Sequence, residues 1–338
     1  MALQTPDLLG IDPATETDRI ADALRRQVSE VLKRKGLIVA MSGGVDSSVC
    51  AGLAVRALGP KRVFGLFLPE RDSDPLSLEL ATEWADKLGI EHVTEDIAPV
   101  LEAAGCYARR NDAIRKLVPE FRDDWKFKIV LPSDRLNSDR LNVYHIAMQP
   151  PGGEIRTLRL TPEVYRTIVA ATNFKQRTRK MMEYYHADRL HYAVVGTPNR
   201  LEYDQGFFVK GGDGLADVKP IAHLYKTQVY QLADFLGVPK GVTNRPPTTD
   251  TYSLPQTQEE FYYLLPTAMM DQVLHAHNAG APAADAAGRL GLAEEQVQRA
   301  YREIEQKRAT TRYLHLSPLL VEPVRELKLH DQAAVRGE

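Results

Sequence analysis

The chain has 338 residues, 43% of them hydrophobic, and 43 Lys and Arg against 45 Asp and Glu give a formal net charge of −2. That size and apolar content allow a sizeable core in one large domain or two modest ones. The charge balance argues against a nucleic acid as main partner, no apolar run reaches membrane-spanning length, and the two cysteines, Cys50 and Cys106, have no metal-ligand or disulfide spacing.

Ile20, Leu24, Val28, Val31 and Leu32 recur at helical spacing, with Thr15 or Thr17 as the expected cap. Residues 37–41, Leu-Ile-Val-Ala-Met, form an apolar run that reads as a first buried strand; 62–68 and 92–97 read as the second and third. Helical stretches at about 48–58 and 76–88 separate them. A fourth strand at 192–196 follows a long helix from about Pro162 to His186. The alternation predicts an α/β fold, a doubly wound parallel sheet with helices on both faces. Two regions break it: 125–160, where 127–131, 143–149 and 155–160 read as short strands with a hairpin turn at 150–153, and a mostly helical C-terminal third. One domain is expected over 1–310, interrupted by a β-rich insertion at 125–160, with a tail at 311–338. Residues Met1 to Asp18 lack a basic stretch followed by an apolar one, so a reducing cytoplasm is the expected setting, and Cys50 is expected to be a small buried thiol.

The chemistry concentrates after the first strand, at Ser42, Gly43, Gly44, Val45, Asp46, Ser47 and Ser48. A buried strand, a glycine turn and a helix start form an anion-binding device, because the glycines let the backbone curl around a phosphate and the free N–H groups of the first helical turn point at it. A carboxylate such as Asp46 inside a phosphate cradle repels its ligand unless a cation intervenes, and Mg²⁺ with a nucleotide meets that need. No lysine follows these glycines, so the loop is not the Walker type.

The loop resembles that of the ATP pyrophosphatase superfamily, whose members cleave ATP to AMP and pyrophosphate. Further motifs narrow the resemblance: Asn173-Phe174-Lys175-Gln176-Arg177, Gly196-Thr197-Pro198-Asn199-Arg200-Leu201-Glu202, Gly206-Phe207-Phe208-Val209-Lys210-Gly211-Gly212-Asp213-Gly214, Asp217-Val218-Lys219-Pro220, Leu224-Tyr225-Lys226-Thr227 and Pro246-Pro247-Thr248-Thr249-Asp250. In order and spacing these are similar to the ammonia-dependent NAD synthetase family, which implies an adenine nucleotide alpha hydrolase-like, Rossmann-like fold and a homodimer. The implied activity is amidation of nicotinic acid adenine dinucleotide through an acyl-adenylate, with ATP and ammonia as co-substrates. The resemblance implies Mg²⁺ on Asp46 and Glu202, ATP contacts from the loop, Thr197, Lys226 and Thr248, and catalytic roles for Asp46 and Lys226. It assigns the dinucleotide to Arg177, Lys210, Asp217, Gln306 and Lys307. Read alone, Glu202 is a solvated loop acid, and Arg177 belongs to a basic helix face with Lys175, Arg179 and Lys180. The glycines at 211, 212 and 214 make 210–214 an expected mobile lid.

Three departures lie on the substrate side. Residues 125–160 are an insertion just before Arg177. The stretch Thr251-Tyr252-Ser253-Leu254-Pro255-Gln256 replaces a usual Trp-Pro-Gly-Gln segment, and Gln306-Lys307 stands where the family has His-Lys. Neither cysteine sits as the nucleophile of an amidohydrolase domain, so free ammonia, or ammonia from a separate protein, is expected. The alternatives left open are a ligase of the same family acting on a different carboxylate, and a catalytically silent ATP-binding regulator.

Overall fold

The computed structural model of the protein describes residues 9–131, 143–246, 251–322 and 324. The first helix, α1 (Pro13–Arg26), starts at neither expected threonine. Asp12 is the cap, accepting the Ala14 N–H at 3.2 Å, and Pro13 opens the helix with its fixed φ. Thr17 instead joins Ile20, Ala21 and Leu24 in the buried stripe.

Strand β1 (Leu37–Ala40) leads through the glycine loop into α2 (Val45–Leu58), then β2 (Val63–Phe67), α3 (Pro75–Leu88) and β3 (Glu91–Thr94). Short helices α4 (Ala98–Ala103) and α5 (Cys106–Arg115) follow. Next come the inserted strands β4 (Lys126–Val130), β5 (His145–Gln149) and β6 (Arg156–Arg159), and the 29-residue α6 (Pro162–Leu190). β7 (Ala193–Val194) completes a four-stranded parallel sheet in the order β3-β2-β1-β7. The third and fourth strands are shorter than the sequence suggests: β3 pairs with β2 only over Glu91–Thr94, and after Val194 the backbone turns to Val218, whose carbonyl accepts the Gly196 N–H at 2.8 Å.

The period-two pleat of β1 explains the double winding. Leu37 and Val39 face a core shared with α1, α2 and α3, whereas Ile38, with Phe64 and Leu66 of β2, faces Leu101, Tyr107 and Ala187 on the opposite side. A sheet buried on both faces requires near-continuous apolar strands, and β1 and β2 supply them.

The insertion folds as a separate antiparallel sheet, β4-β5-β6. Its hairpin closes where expected, with Gly153 N–H on the Pro150 carbonyl at 3.0 Å. Phe127, Ile129, Ile146 and Met148 pack on Ile114, Val164 and Ile168 of α5 and α6, so the insertion shares a core with the domain. The C-terminal third is helical: α7 (Arg200–Gln205), α8 (Lys226–Leu236), α9 (Lys240–Thr243), α10 (Gln258–Phe261), α11 (Thr267–Asn278), α12 (Ala283–Leu290) and α13 (Glu294–His315). α13 continues past the expected start of the tail at 311. Among the described residues no helix is long and apolar enough to cross a membrane.

Candidate active site

Beyond the carboxyl ends of β1 and β7, where ligands bind in such sheets, lies a cavity of about 730 Å³. Residues 42–47 and Thr197 line it, together with Glu202 and Lys226. The glycine loop is held tightly. Gly43 has φ +71° and its backbone presses against Ser77 in the first turn of α3, leaving no room for a side chain. Ser47 accepts the Ser42 N–H at 3.2 Å and donates to the Gly44 carbonyl at 3.1 Å. Ser48, expected among the ligand-side hydroxyls, instead turns back to that carbonyl at 2.9 Å and does not line the cavity. Cys50 is fully buried one turn further on, and burial, with the negative charge of Asp46 and Glu202, pushes its thiol up.

Three helix starts meet over the loop. Asp46 lies in the first turn of α2, where a carboxylate complements the helix dipole. Lys226, the first residue of α8, is buried and pairs its Nζ with Asp46 Oδ2. Asn199 caps α7 by accepting the Glu202 N–H, while Glu202 Oε2 returns to the Asn199 N–H, each at 3.1 Å. The Asn199 side chain then donates to Asp46 Oδ1 at 3.2 Å. Gln258 donates to Glu202 Oε1 at 3.0 Å. Behind Lys226, fully buried Asp271 accepts the Thr227 N–H at 2.8 Å and caps α8 from a neighbouring helix.

The electrostatics follow from crowding two carboxylates and one ammonium away from water. Loss of hydration, then the charge of Asp46, raises Glu202 above the ordinary glutamate range despite the opposing pull of Lys226. Burial disfavours the Lys226 charge, but Asp46 and Glu202 more than reverse it, so the ammonium stays protonated. Two oxygen-donor carboxylates around a phosphate loop are a donor set that a hard divalent cation completes, since Mg²⁺ is usually held by one or two carboxylates plus phosphate oxygens. The residues fit such an ion. Among the described residues no cluster of three His, Cys, Asp or Glu offers an all-protein cage.

The residues expected on the dinucleotide side do not line this cavity. Exposed Arg177 contacts the Lys210 carbonyl at 3.3 Å, and Lys210 reaches across to the Tyr313 carbonyl at 2.6 Å. Asp217 accepts the Val194 N–H at 2.7 Å, Gln306 is exposed, and Lys307 bonds Glu303 and the Tyr262 carbonyl, each at 2.7 Å. Thr248 lies outside the described residues. The expected lid at 210–214 is a tied turn, with Val209 N–H on Asp213 at 2.7 Å and Lys219 on the Gly214 carbonyl at 2.8 Å.

Lys175 departs most from its sequence reading. It is not part of a solvated face but fully buried, bonding Glu70 at 2.9 Å, Asp72 at 2.7 Å and the Thr251 carbonyl at 2.7 Å. Arg110 joins Asp72 at 2.7 Å and Tyr107 joins Glu70 at 2.8 Å. The network ties the loop after β2, which forms one cavity wall, to α5, α6 and residue 251. Asn199 and Gln258 were also missed. The Asn-x-x-Glu spacing at 199–202 is a readable capping box, whereas Gln258 carries no local signal.

A sequence model of the NAD synthase family matches residues 16–120 and 145–313. The chain is 55% identical over 313 residues to the NH3-dependent NAD+ synthetase of Mesorhizobium japonicum, covering 93% of this chain and 98% of that protein. It is 56% identical over 322 residues to the enzyme of the same description from Rhizobium meliloti, covering 95% and 96%. Its fold is similar to the solved structure of an NH3-dependent NAD synthetase from Campylobacter jejuni, with TM-score 0.60 and 20% identity over 92% of this chain and all of that one.

Proposed function

The chain belongs to the NAD synthase family, and we propose that it amidates nicotinic acid adenine dinucleotide to NAD, consuming ATP and ammonia and releasing AMP and pyrophosphate. The observation that carries this reading is the convergence of Asp46, Asn199, Glu202 and Lys226 on the glycine loop. The loop N–H groups and the start of α2 receive the phosphate end of ATP. The substrate carboxylate attacks the α-phosphorus, the bond to the bridging oxygen breaks, and charge builds on the departing pyrophosphate. Lys226, fixed and protonated, stabilises that charge. Ammonia then attacks the acyl carbon of the adenylate, the bond from that carbon to the bridging phosphate oxygen breaks with its electron pair going to AMP, and the nitrogen loses one proton to give the amide. Burial in the cavity shields the adenylate from water.

Asp46 and Glu202 would hold Mg²⁺, which when bound offsets charge on the phosphate oxygens. Asn199 hydrogen-bonds both carboxylates, donating its backbone N–H to Glu202 and its side-chain amide to Asp46. The dinucleotide would reach the cavity from the outer surface that carries Arg177 and Lys210. Exposed Met181, Tyr185 and Leu215 lie near these residues in the chain and support a homodimer as the assembly that covers this surface. Free ammonia, or ammonia handed over by a separate protein, fits a cavity with no thiol nucleophile along its lining; the cytoplasm, where these metabolites reside, is the proposed location.

The test is AMP formation from Mg-ATP and ammonium salt, with and without the dinucleotide, alongside Lys226→Ala. Dinucleotide-dependent AMP with stoichiometric NAD, lost in the variant, is the expected outcome. AMP without NAD overturns the reading; NAD formation that survives the substitution removes Lys226 from the chemistry.

A further inference from the structure

The family match skips residues 121–144, which include β4 and Tyr144. An unmatched strand is most simply a decoration on the surface, yet β4 is bound on both edges. One pairs with β5. The other is taken up by residues 253–260. The Leu254 N–H donates to the Phe127 carbonyl at 3.1 Å and the Leu131 N–H to the Glu260 carbonyl at 2.9 Å. The Phe127 N–H donates to Ser253 Oγ at 2.9 Å, and the Gln256 side chain to the Ile129 carbonyl. Lys128 Nζ spans the seam, on the Pro255 carbonyl at 3.0 Å and Glu260 at 2.8 Å.

Residues 251–261 contain one short helical turn, α10, so most of their backbone groups need partners from elsewhere. β4 supplies them. The segment so held is the one that departs from the usual family sequence, and it carries Gln258 to Glu202 and Tyr252 to the cavity wall. Tyr144, from the same unmatched stretch, stacks on Tyr165 at 4.2 Å and lines that cavity as well.

We infer that the unmatched strand is a working part of the nucleotide site: β4 clasps residues 251–261 and thereby makes Gln258 a positioning residue for the carboxylate of Glu202. Two of the three departures noted in the sequence, the insertion and the altered 251–256 stretch, are then one change in two places. A segment left loose would have to be ordered each time nucleotide bound, at an entropic cost that the clasp removes beforehand.

This rests on the assignment of the cavity to ATP, so the test carries a reference for that assignment. Binding of a non-hydrolysable ATP analogue with Mg²⁺, without the acid substrate, is measured for the full chain, for Lys128→Ala/Gln256→Ala, for Gln258→Leu and for Lys226→Met. Hydrogen exchange of 251–261 is followed in each. The double variant is expected to lose protection across 251–261, to weaken analogue binding about tenfold and to raise KM for ATP more than it lowers kcat. Gln258→Leu is expected to weaken binding by a similar factor with the segment still protected. Should the double variant not fold, Lys128→Ala alone is read the same way. Unchanged analogue binding in a variant whose segment has loosened overturns the inference, as does unchanged protection. Analogue binding that ignores Lys226→Met strikes instead at the assignment of the cavity.

Discussion

Gly43→Ala tests the loop most directly, because the structure says where the added methyl goes. It would meet the Ser77 Cα at 2.9 Å and the Ser77 carbonyl oxygen closer still, at a residue whose φ is +71°. An alanine held in the left-handed region costs about 1–2 kcal/mol, and forcing a methyl into a packed contact adds roughly 1–3 kcal/mol. A total of about 3 kcal/mol is expected. Unfolding entropy scales at roughly 2.1 cal/mol/K per residue, or about 0.7 kcal/mol/K here, so the midpoint should fall by about 4 °C. Relieving the contact takes the loop roughly 1 Å toward the cavity, and a displacement of that size costs on the order of a hundredfold in rate. Gly89→Ala is the control. Gly89 also has positive φ, +67°, but nothing lies within 4 Å of its added methyl, so only the backbone term of about 1 kcal/mol remains. Calorimetry and AMP release are measured on both variants. If Gly43→Ala matches Gly89→Ala in melting and in rate, the loop does not rest on Ser77 and the reasoning fails.

Lys226→Met, which keeps the stem and removes the charge, should lower kcat/KM for AMP formation by about 10²–10³; near-normal turnover in a folded variant would remove Lys226 from the chemistry. Glu202→Gln should separate stability from function. A carboxyl raised in the folded state opposes folding once pH climbs through the ordinary glutamate value of 4.5, and the deficit persists above the folded value. Without nucleotide the variant should therefore melt higher than wild type at about pH 8, with little difference near about pH 4, while activity falls roughly 10–100-fold. A melting gap that does not change with pH would contradict this. Lys175→Met leaves Glu70 and Asp72 buried without their ammonium and should cost about 3–5 kcal/mol in denaturant unfolding. Burial alone would raise Asp72, but Lys175 and Arg110 outweigh it and hold the group below its usual range. Its stabilising share is thus present above the ordinary aspartate range and fades as pH falls through the lowered value, so the penalty of the substitution should shrink in acid. A penalty that stays constant with pH would count against the network.

The parts legible in the sequence were those whose signals are local. The run 37–41, the glycine turn and the apolar helix after it specify strand, loop and helix without help from distant residues. The hairpin at 150–153 and the box at 199–202 are equally local. What escaped depends on partners far along the chain. Lys175 looked like one more cation on a basic helix because Glu70 and Asp72 are more than a hundred residues away, and only the tertiary fold sets three charges in one dry space. Gln258 meets Glu202 across 56 positions and no spacing rule links them. Thr15 or Thr17 was the expected cap, and Asp12 was passed over, because the hydrophobic period alone does not reveal where Pro13 starts the helix. The insertion was visible as a break in pattern, but its seam with 253–260 was not, since hydrogen bonding from a strand edge to an irregular stretch leaves no periodic trace.

Three consecutive residues of α6 face three different surroundings: Lys175 the buried ion network, Gln176 the cavity and Arg177 the outer surface. Each step along a helix turns by about 100°, so deleting or adding one residue within it would hand every role to a neighbour unfit for it. Length variation is safe only upstream, where the Thr161 cap and Pro162 restart the helical register whatever precedes them. The insertion ends just before that point. α6 thus acts as a ruler whose zero mark is Thr161, and residues added on the unmarked side leave every reading along it unchanged.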